Sequence, residues 1–165
     1  VVMVSMFVLL AHLSLTSLFR KSTFKAQAQE LVSTMQLAVT SAAESDRRYE
    51  VIINLIEQNY TLRQITSSYL PSDVLEEEII IVNELSDNCR AVYVLFDDLI
   101  DTDENHQEAL FRAGRAGWQN GGKIILLDED ENFYSIVINR MNRIVTLKEG
   151  DVELLMPKAE DEMRF

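Results

Sequence analysis

The 165-residue chain has few of the residues on which several classes of protein depend. Its single cysteine, Cys89, excludes an intramolecular disulfide and a zinc cluster built on cysteines. Five glycines and two prolines exclude collagen-like and low-complexity repeats. Fifteen basic residues against 27 acidic ones leave a formal net charge of -12. Nucleic-acid binding is therefore not expected, because phosphate backbones are held by clustered lysine and arginine.

Charge is missing altogether from residues 1–19, and the first charged residues are Arg20 and Lys21. An uncharged apolar run of about 18 residues or more is a candidate membrane helix. A cleaved signal peptide would carry a basic start and a small-residue cleavage site beside the apolar run. A core helix of a soluble protein rarely stays uncharged for this length. Among these three interpretations, a membrane anchor or helix-bundle segment fits residues 1–19 best.

An amphipathic helix is predicted to continue directly from this apolar segment, because residues 19–43 contain neither proline nor glycine. Apolar residues recur there at helical spacing on one face. We therefore expect one helix over residues 1–45, about 65 Å long, that is apolar all round over 1–19 and amphipathic over 20–45. Its amphipathic part must lie on a surface, most simply that of its own globular domain. The stripe consists of Phe24, Ala28, Leu31, Val32, Met35, Val39 and Ala42.

Residues 46–165 are predicted to form a β-rich domain, because short β-branched or alternating runs are separated by short polar linkers. Such linkers favour antiparallel hairpins, so the expected fold class is α+β: a long N-terminal helix packed on a small antiparallel β-sheet. Residues 99–108 are predicted to be an acidic loop, and 109–113 a short edge strand. The other predicted strands are 47–55, 60–65, 76–85, 89–97, 123–128, 132–139, 143–148 and 152–156.

The stretch "GWQNGGKI", residues 117–124, differs by one residue from a phosphate-binding P-loop. Ile124 stands where a serine or threonine would bind magnesium. The following residues, "IILLD", are typical of a strand, whereas a P-loop leads into a helix whose N-terminus holds phosphate. We interpret the stretch as a glycine-permissive turn that enters a hairpin strand, and we expect neither a nucleotide nor another cofactor.

Two acidic stretches begin like calcium-binding loops. The first begins at Asp101. A calcium loop would have a glycine at its sixth position and a glutamate at its twelfth, but His106 and Arg112 stand there. The second stretch, 128–132, lacks the same later residues and falls in a predicted hairpin turn, where Asp and Asn are common. We interpret both as solvated acidic loops and keep calcium binding at the first as an alternative. Its candidate ligands are Asp97, Asp98, Asp101, Asp103 and Asn105.

No catalytic constellation emerges from the remaining reactive residues. Cys89 begins an apolar strand, which favours a buried structural thiol over a nucleophile. His12 and His106 are far apart in sequence and in environment, so they predict no metal pair. We therefore expect that the protein is not an enzyme.

The order of elements resembles the type IV pilin superfamily. Residues 111–151 resemble the ending of the H-type minor pseudopilins of type II secretion and the related FimT-type pilins, with a Gly-rich turn, "GG-x-I-x-L", a polar turn and "Y-x-I-x-V". Asn142 departs from this pattern, because a glycine is common there. Residues 41–55 resemble the end of that family's helix and its first strand. The matching residues are Gly121, Gly122, Ile124, Leu126, Tyr134, Ile136 and Ile138.

The resemblance implies a structural subunit of a type II secretion or type IV pilus-like filament, with other pilin-like subunits as partners. It places residues 1–19 in a bacterial inner membrane as a single pass and the β-domain in the periplasm, although Arg20 and Lys21 alone would favour the cytoplasm. The family's "G-F-T-L-x-E" processing motif does not occur in the sequence, which resembles a chain that starts a few residues inside the mature helix.

The apolar helix supplies the expected assembly residues, with His12 as a polar contact, since polar groups in a membrane segment usually face a protein partner. Its serines and threonines can instead bond their own helix carbonyls. The alternative function is a membrane-anchored periplasmic binding or sensor domain that acts as a monomer. The candidate assembly residues are Met3, Phe7, Leu10, His12 and Leu13.

Overall fold

The computed structural model describes residues 2–45, 47–65, 79–98 and 107–154, with side chains from residue 23 onward. One helix, α1, spans Val2–Ser45 and is followed by nine strands within these ranges. The strands are β1 (Arg48–Asn54), β2 (Asn59–Ile65), β3 (Ile79–Glu84), β4 (Arg90–Phe96), β5 (Glu108–Gly114), β6 (Gly117–Trp118), β7 (Gly122–Leu127), β8 (Phe133–Ile138) and β9 (Val145–Glu149).

The strands form two antiparallel sheets, which confirms the α+β class. The first sheet has the order β3-β2-β1-β5-β6 and the second has the order β4-β7-β8-β9. The prediction of one small sheet was wrong in this respect. Consecutive strands β3 and β4 belong to different sheets, and a pattern of alternating residues carries no information about that change.

The helix joins the two sheets through the predicted apolar stripe. All of its members are buried except Val32, which is half-buried, and Ala38 joins them. α1 contacts β1, β5 and β6 of the first sheet and β9 of the second. The Phe24 ring lies 4.4 Å from the Tyr134 ring on β8, measured between centroids. The core therefore lies between the buried side of α1 and the inner faces of both sheets.

The predicted membrane segment, residues 1–19, lies outside the residues whose side chains the structure describes. Within the described part of the helix, no stretch has the length and hydropathy of a transmembrane span.

Two strand predictions were wrong. β5 is an inner strand, because it pairs with β1 on one side and with the two-residue β6 on the other. Residues 152–154 do not continue as a strand, and 155–156 lie outside the described residues. The backbone of Val152 is hydrogen-bonded to side chains and not to a neighbouring strand. Its N–H donates to Ser135 Oγ, and its carbonyl accepts from Lys123 Nζ. The other predicted strands match β1–β4 and β7–β9 to within one residue at the described ends, except that β9 begins at Val145, two residues after the predicted start; residues 76–78, the predicted start of β3, lie outside the described residues.

Candidate functional site

The residues predicted to act in assembly or calcium binding lie largely beyond what the structure describes. The side chains of Met3, Phe7, Leu10, His12 and Leu13 are outside it, as are Asp101, Asp103 and Asn105. Asp97 is described and has a structural partner, because its Oδ2 accepts from the Gly121 N–H at 3.0 Å. No group of His, Cys, Asp or Glu in the described ranges could hold a metal ion. Calcium binding at 97–105 stays a prediction.

The second acidic stretch is the turn between β7 and β8, as predicted, but its first residue, Asp128, is not solvated. Asp128 is buried, and its Oδ1 accepts from the Asp130 and Asn132 N–H groups at 2.9 and 2.8 Å. Burial acts to raise the pKa of Asp128, but hydrogen bonds from the Asn132 side chain and from these two N–H groups outweigh it and lower the pKa. The Asp128 carboxylate therefore organises the turn.

The glycine-rich stretch before β7 serves strand packing. A Cβ at Gly122 would lie 2.5 Å from the Leu95 carbonyl oxygen of β4, so only glycine fits this pairing. Lys123, which a P-loop would direct at phosphate, is buried and forms an ion pair with Asp151. Hydrogen bonds from Lys123 and Tyr93 lower the pKa of Asp151. Lys123 thus anchors the segment after β9.

Cys89 is confirmed as a buried structural thiol. Its side chain is fully buried, and burial raises its pKa to about 12. A thiol with this pKa is almost entirely protonated at neutral pH and is a poor nucleophile.

A surface groove contains five of the chain's ten arginines. Its volume is about 1030 Å³, and its described lining contains no aspartate or glutamate. Ala113, Gly114, Ala116, Gly117, Trp118, Gln119, Met141 and Ile65 complete the lining. This is a local cationic surface on a chain of net charge -12. We call it the arginine groove and define it by Arg47, Arg48, Arg112, Arg115 and Arg140.

Strand pairing brings these arginines together from distant parts of the sequence. Arg47 and Arg48 lie at the start of β1, and Arg112 lies on the neighbouring strand β5. Arg115 lies in the tight turn between β5 and β6, and Gly117, the first residue of β6, adopts a φ of 123° that favours glycine. Arg140 follows the end of β8. The groove therefore spans one end of both sheets.

A buried carboxylate positions one arginine of the groove. Glu50 is fully buried on β1, directly between Arg63 of β2 and Arg112 of β5 in the strand register. Arg63 Nε donates to Glu50 Oε2 and Arg112 Nε donates to Glu50 Oε1, both at 2.7 Å. The Arg112 side chain is still 54% exposed. The trio keeps a net positive charge, and Glu50 fixes the position of Arg112 in the groove.

The other arginines differ in how they are held. Arg47 Nη1 donates to Gln64 Oε1 at 3.1 Å, and the Arg115 carbonyl accepts from Arg143 Nη2 at 2.7 Å. The guanidinium groups of Arg48 and Arg140 are exposed and have no partner within the described part of the chain. A guanidinium can bind a carboxylate or a phosphate through two parallel hydrogen bonds. The groove is therefore chemically suited to an anionic ligand.

A buried aromatic donor also lines the groove. Trp118 is 3% exposed, and its Nε1 is the only buried side-chain nitrogen or oxygen without a hydrogen-bond partner among the described residues. Its ring packs edge to face on Phe111, with centroids 6.2 Å apart. An indole N–H can only donate, and because this one is buried it adds no donor to the surface of the groove.

Sequence reasoning missed the arginine groove. Its arginines are spread between positions 47 and 140, and no local motif links them. The adjacent pair Arg47–Arg48 and the nearby Arg112 and Arg115 were the only available signals, and neither pair is unusual at the end of a strand.

No protein-family model matches the chain, and neither a curated protein nor a solved structure matches it.

Proposed function

We propose that the protein is a structural subunit, resembling a minor pseudopilin, of a type II secretion or type IV pilus-like filament. In this proposal residues 1–19 anchor it in a bacterial inner membrane and the β-domain lies in the periplasm. One observation supports the proposal most: the buried stripe of α1 runs from Phe24 to Ala42 on the sheets, while the uncharged residues lie in the part of the sequence before it.

The mechanism is assembly. An apolar helix gains no hydrophobic energy by leaving lipid for other apolar helices, so packing and interhelical hydrogen bonds must stabilise the filament core. Met3, Phe7, Leu10 and Leu13 would supply the packing and His12 a polar contact. The β-domain, held on α1 by the stripe, would face outward and select its neighbours.

Membrane partition and crosslinking of the full chain in cells test this proposal. Cysteines are placed one at a time by Met6→Cys and Leu13→Cys, and the buried Cys89 serves as an unreactive background. Membrane-bound protein that crosslinks into ladders, or to other pilin-like subunits, is expected. Ile56→Cys is the matched control, because Ile56 is exposed in the turn after β1 and lies outside the helix.

A charge in the apolar segment sharpens this test. Leu10→Arg should release the chain from membranes, because arginine at the centre of a membrane helix costs about 2.5–3.5 kcal/mol on insertion scales. Leu37→Arg should leave partition unchanged, since Leu37 is 45% exposed on the outer side of α1. A full-length wild-type chain that is monomeric and absent from membranes would refute the filament proposal.

The arginine groove favours a second candidate, a membrane-anchored binding or sensor domain that acts as a monomer. Under this alternative the groove holds an anionic ligand, and no crosslinked ladder forms. Arg48→Glu combined with Arg140→Glu would then abolish ligand binding while membrane partition stays unchanged.

A further inference from the structure

An acidic surface lies on the turn between β7 and β8. Glu129, Asp130 and Glu131 are exposed there, and we call these three residues the acidic turn. The inward-facing Asp128 fixes the backbone of the turn through its hydrogen bonds. Glu149 of β9 adds a further carboxylate beside it, opposite Tyr134 in the strand register. The acidic turn is therefore a pre-organised anionic projection, unlike a flexible acidic tail.

The acidic turn and the arginine groove lie at opposite ends of one hairpin. β7 and β8 pair from Gly122–Ile138 at one end to Leu127–Phe133 at the other. Residues just outside the first end, Trp118, Gln119 and Arg140, line the groove. Six residues of strand separate the two ends, which is roughly 20 Å. The hairpin is too stiff for the two surfaces to meet within one copy.

We propose that the arginine groove of one copy of this chain receives the acidic turn of the next copy, so that the β-domains join head to tail. The three exposed carboxylates match the charge of the groove, and the Arg48 and Arg140 guanidinium groups are exposed to pair with them. Small-molecule pockets span roughly 300–1,000 Å³. At about 1030 Å³ the groove lies at the upper end of this range, so the match of charge, and not the volume, favours the acidic turn as its occupant.

The symmetry of this contact follows from its geometry. Two different surfaces of the same chain meet, so the contact is heterologous, and repeating it produces a ring or an open helical array. The inference rests on the proposed function in taking a neighbouring subunit as the occupant. It adds a contact between β-domains, which is separate from the helix contacts of residues 1–19.

A charge-swap experiment on the detergent-solubilised full chain tests the contact. The groove variant carries Arg48→Glu and Arg140→Glu, and the turn variant carries Asp130→Lys and Glu131→Lys. Sedimentation velocity measures self-association at low salt. Each variant alone should associate at least about tenfold more weakly than wild type, since like charges then face each other. In an equimolar mixture association should recover. The turn variant keeps the wild-type arginine groove, and the groove variant keeps the wild-type acidic turn, so these two surfaces can pair.

Two controls make the result specific. Lys25→Glu and Glu84→Lys change exposed charges outside both surfaces and should leave association as in wild type. Wild-type association should weaken at about 1 M salt, where the Debye length is roughly 3 Å. Variants that associate like wild type, or a mixture that fails to recover, would overturn the proposal. The filament proposal is tested separately. If crosslinks at Met6→Cys and Leu13→Cys persist in both charge variants, the filament proposal stands even when the contact between β-domains is refuted.

Discussion

Glu50 is a fully buried carboxylate at the centre of the first sheet. Its negative charge is balanced by Arg63 and Arg112, whose side chains are more exposed than Glu50 itself. Removing both cations should therefore cost more than removing the anion. We predict that Arg63→Ala combined with Arg112→Ala destabilises the fold by about 3–5 kcal/mol, because it leaves an unpaired charge in the core. Glu50→Gln should cost only about 1 kcal/mol, since both arginines can turn to water.

Urea denaturation followed by the fluorescence of Trp118, the only tryptophan, measures both losses. Arg48→Ala on the same strand is the control, because this exposed residue has no partner in the described part of the chain; its effect should stay within about 0.5 kcal/mol. Equal losses for the double variant and Glu50→Gln would mean that the carboxylate does not depend on its arginines.

Asp128 gives the turn between β7 and β8 a defined pH response. Its pKa in the folded chain lies below the ordinary value of 3.8, so its charged form stabilises the fold above pH 3.8. That contribution is lost as the pH falls through the lower folded pKa. We predict that wild type is more stable than Asp128→Asn at pH 7 and that the difference disappears in acid. Thermal unfolding of both chains from pH 7 to pH 2 measures this difference; a constant difference would contradict the prediction.

At the level of elements, the pairing of β4 with β7 requires a residue without a side chain at position 122. A Cβ at Gly122 would meet the Leu95 carbonyl oxygen at 2.5 Å and the Phe96 Cα at 3.1 Å, and neither backbone atom can move easily. We predict that Gly122→Ala destabilises the fold by about 1–3 kcal/mol. Gly114→Ala is the matched control, because nothing lies within 4 Å of its Cβ position. Urea denaturation should show a large loss for the first variant and none for the second.

Most strands were predictable because their residues alternate. In β5, every second residue, Ala109, Phe111 and Ala113, is buried, and in β1 the same holds for Tyr49, Val51 and Ile53. An inner strand with one exposed face has the same alternation as an edge strand, so the position of β5 in its sheet could not be predicted. β6, with two residues, is too short to show any period.

The arginine groove could not be predicted for a related reason. Which arginines become neighbours depends on the register between β1 and β5 and on where β8 ends, and both are set by long-range pairing. The burial of Glu50 could not be predicted either, because a glutamate between apolar residues of a strand normally lies on the exposed face. Only the strand register shows that Arg63 and Arg112 flank it.

At the scale of the whole molecule, the two sheets are held together by aromatic contacts and by α1. Phe111 of the first sheet lies 5.0 Å from Phe96 of the second, measured between ring centroids, and it also packs on Trp118. Phe24 of α1 contacts Tyr134 of the second sheet, while the rest of the helix stripe lies against β1, β5 and β6 as well as β9. Among the described residues, the buried apolar side chains of both sheets form one cluster, which Ile125 of β7 does not join.

We therefore predict that both sheets unfold in one cooperative transition. Trp118 fluorescence reports on the first sheet, and amide hydrogen exchange in β8 reports on the second, so their urea midpoints should coincide. Phe111→Ala should lower both midpoints equally, by an amount equivalent to about 3–5 kcal/mol, because it opens a cavity that the two sheets share. If the β8 amides stayed protected at a urea concentration that exposes Trp118, the second sheet would be an independent unit and the shared core would contribute little to its stability.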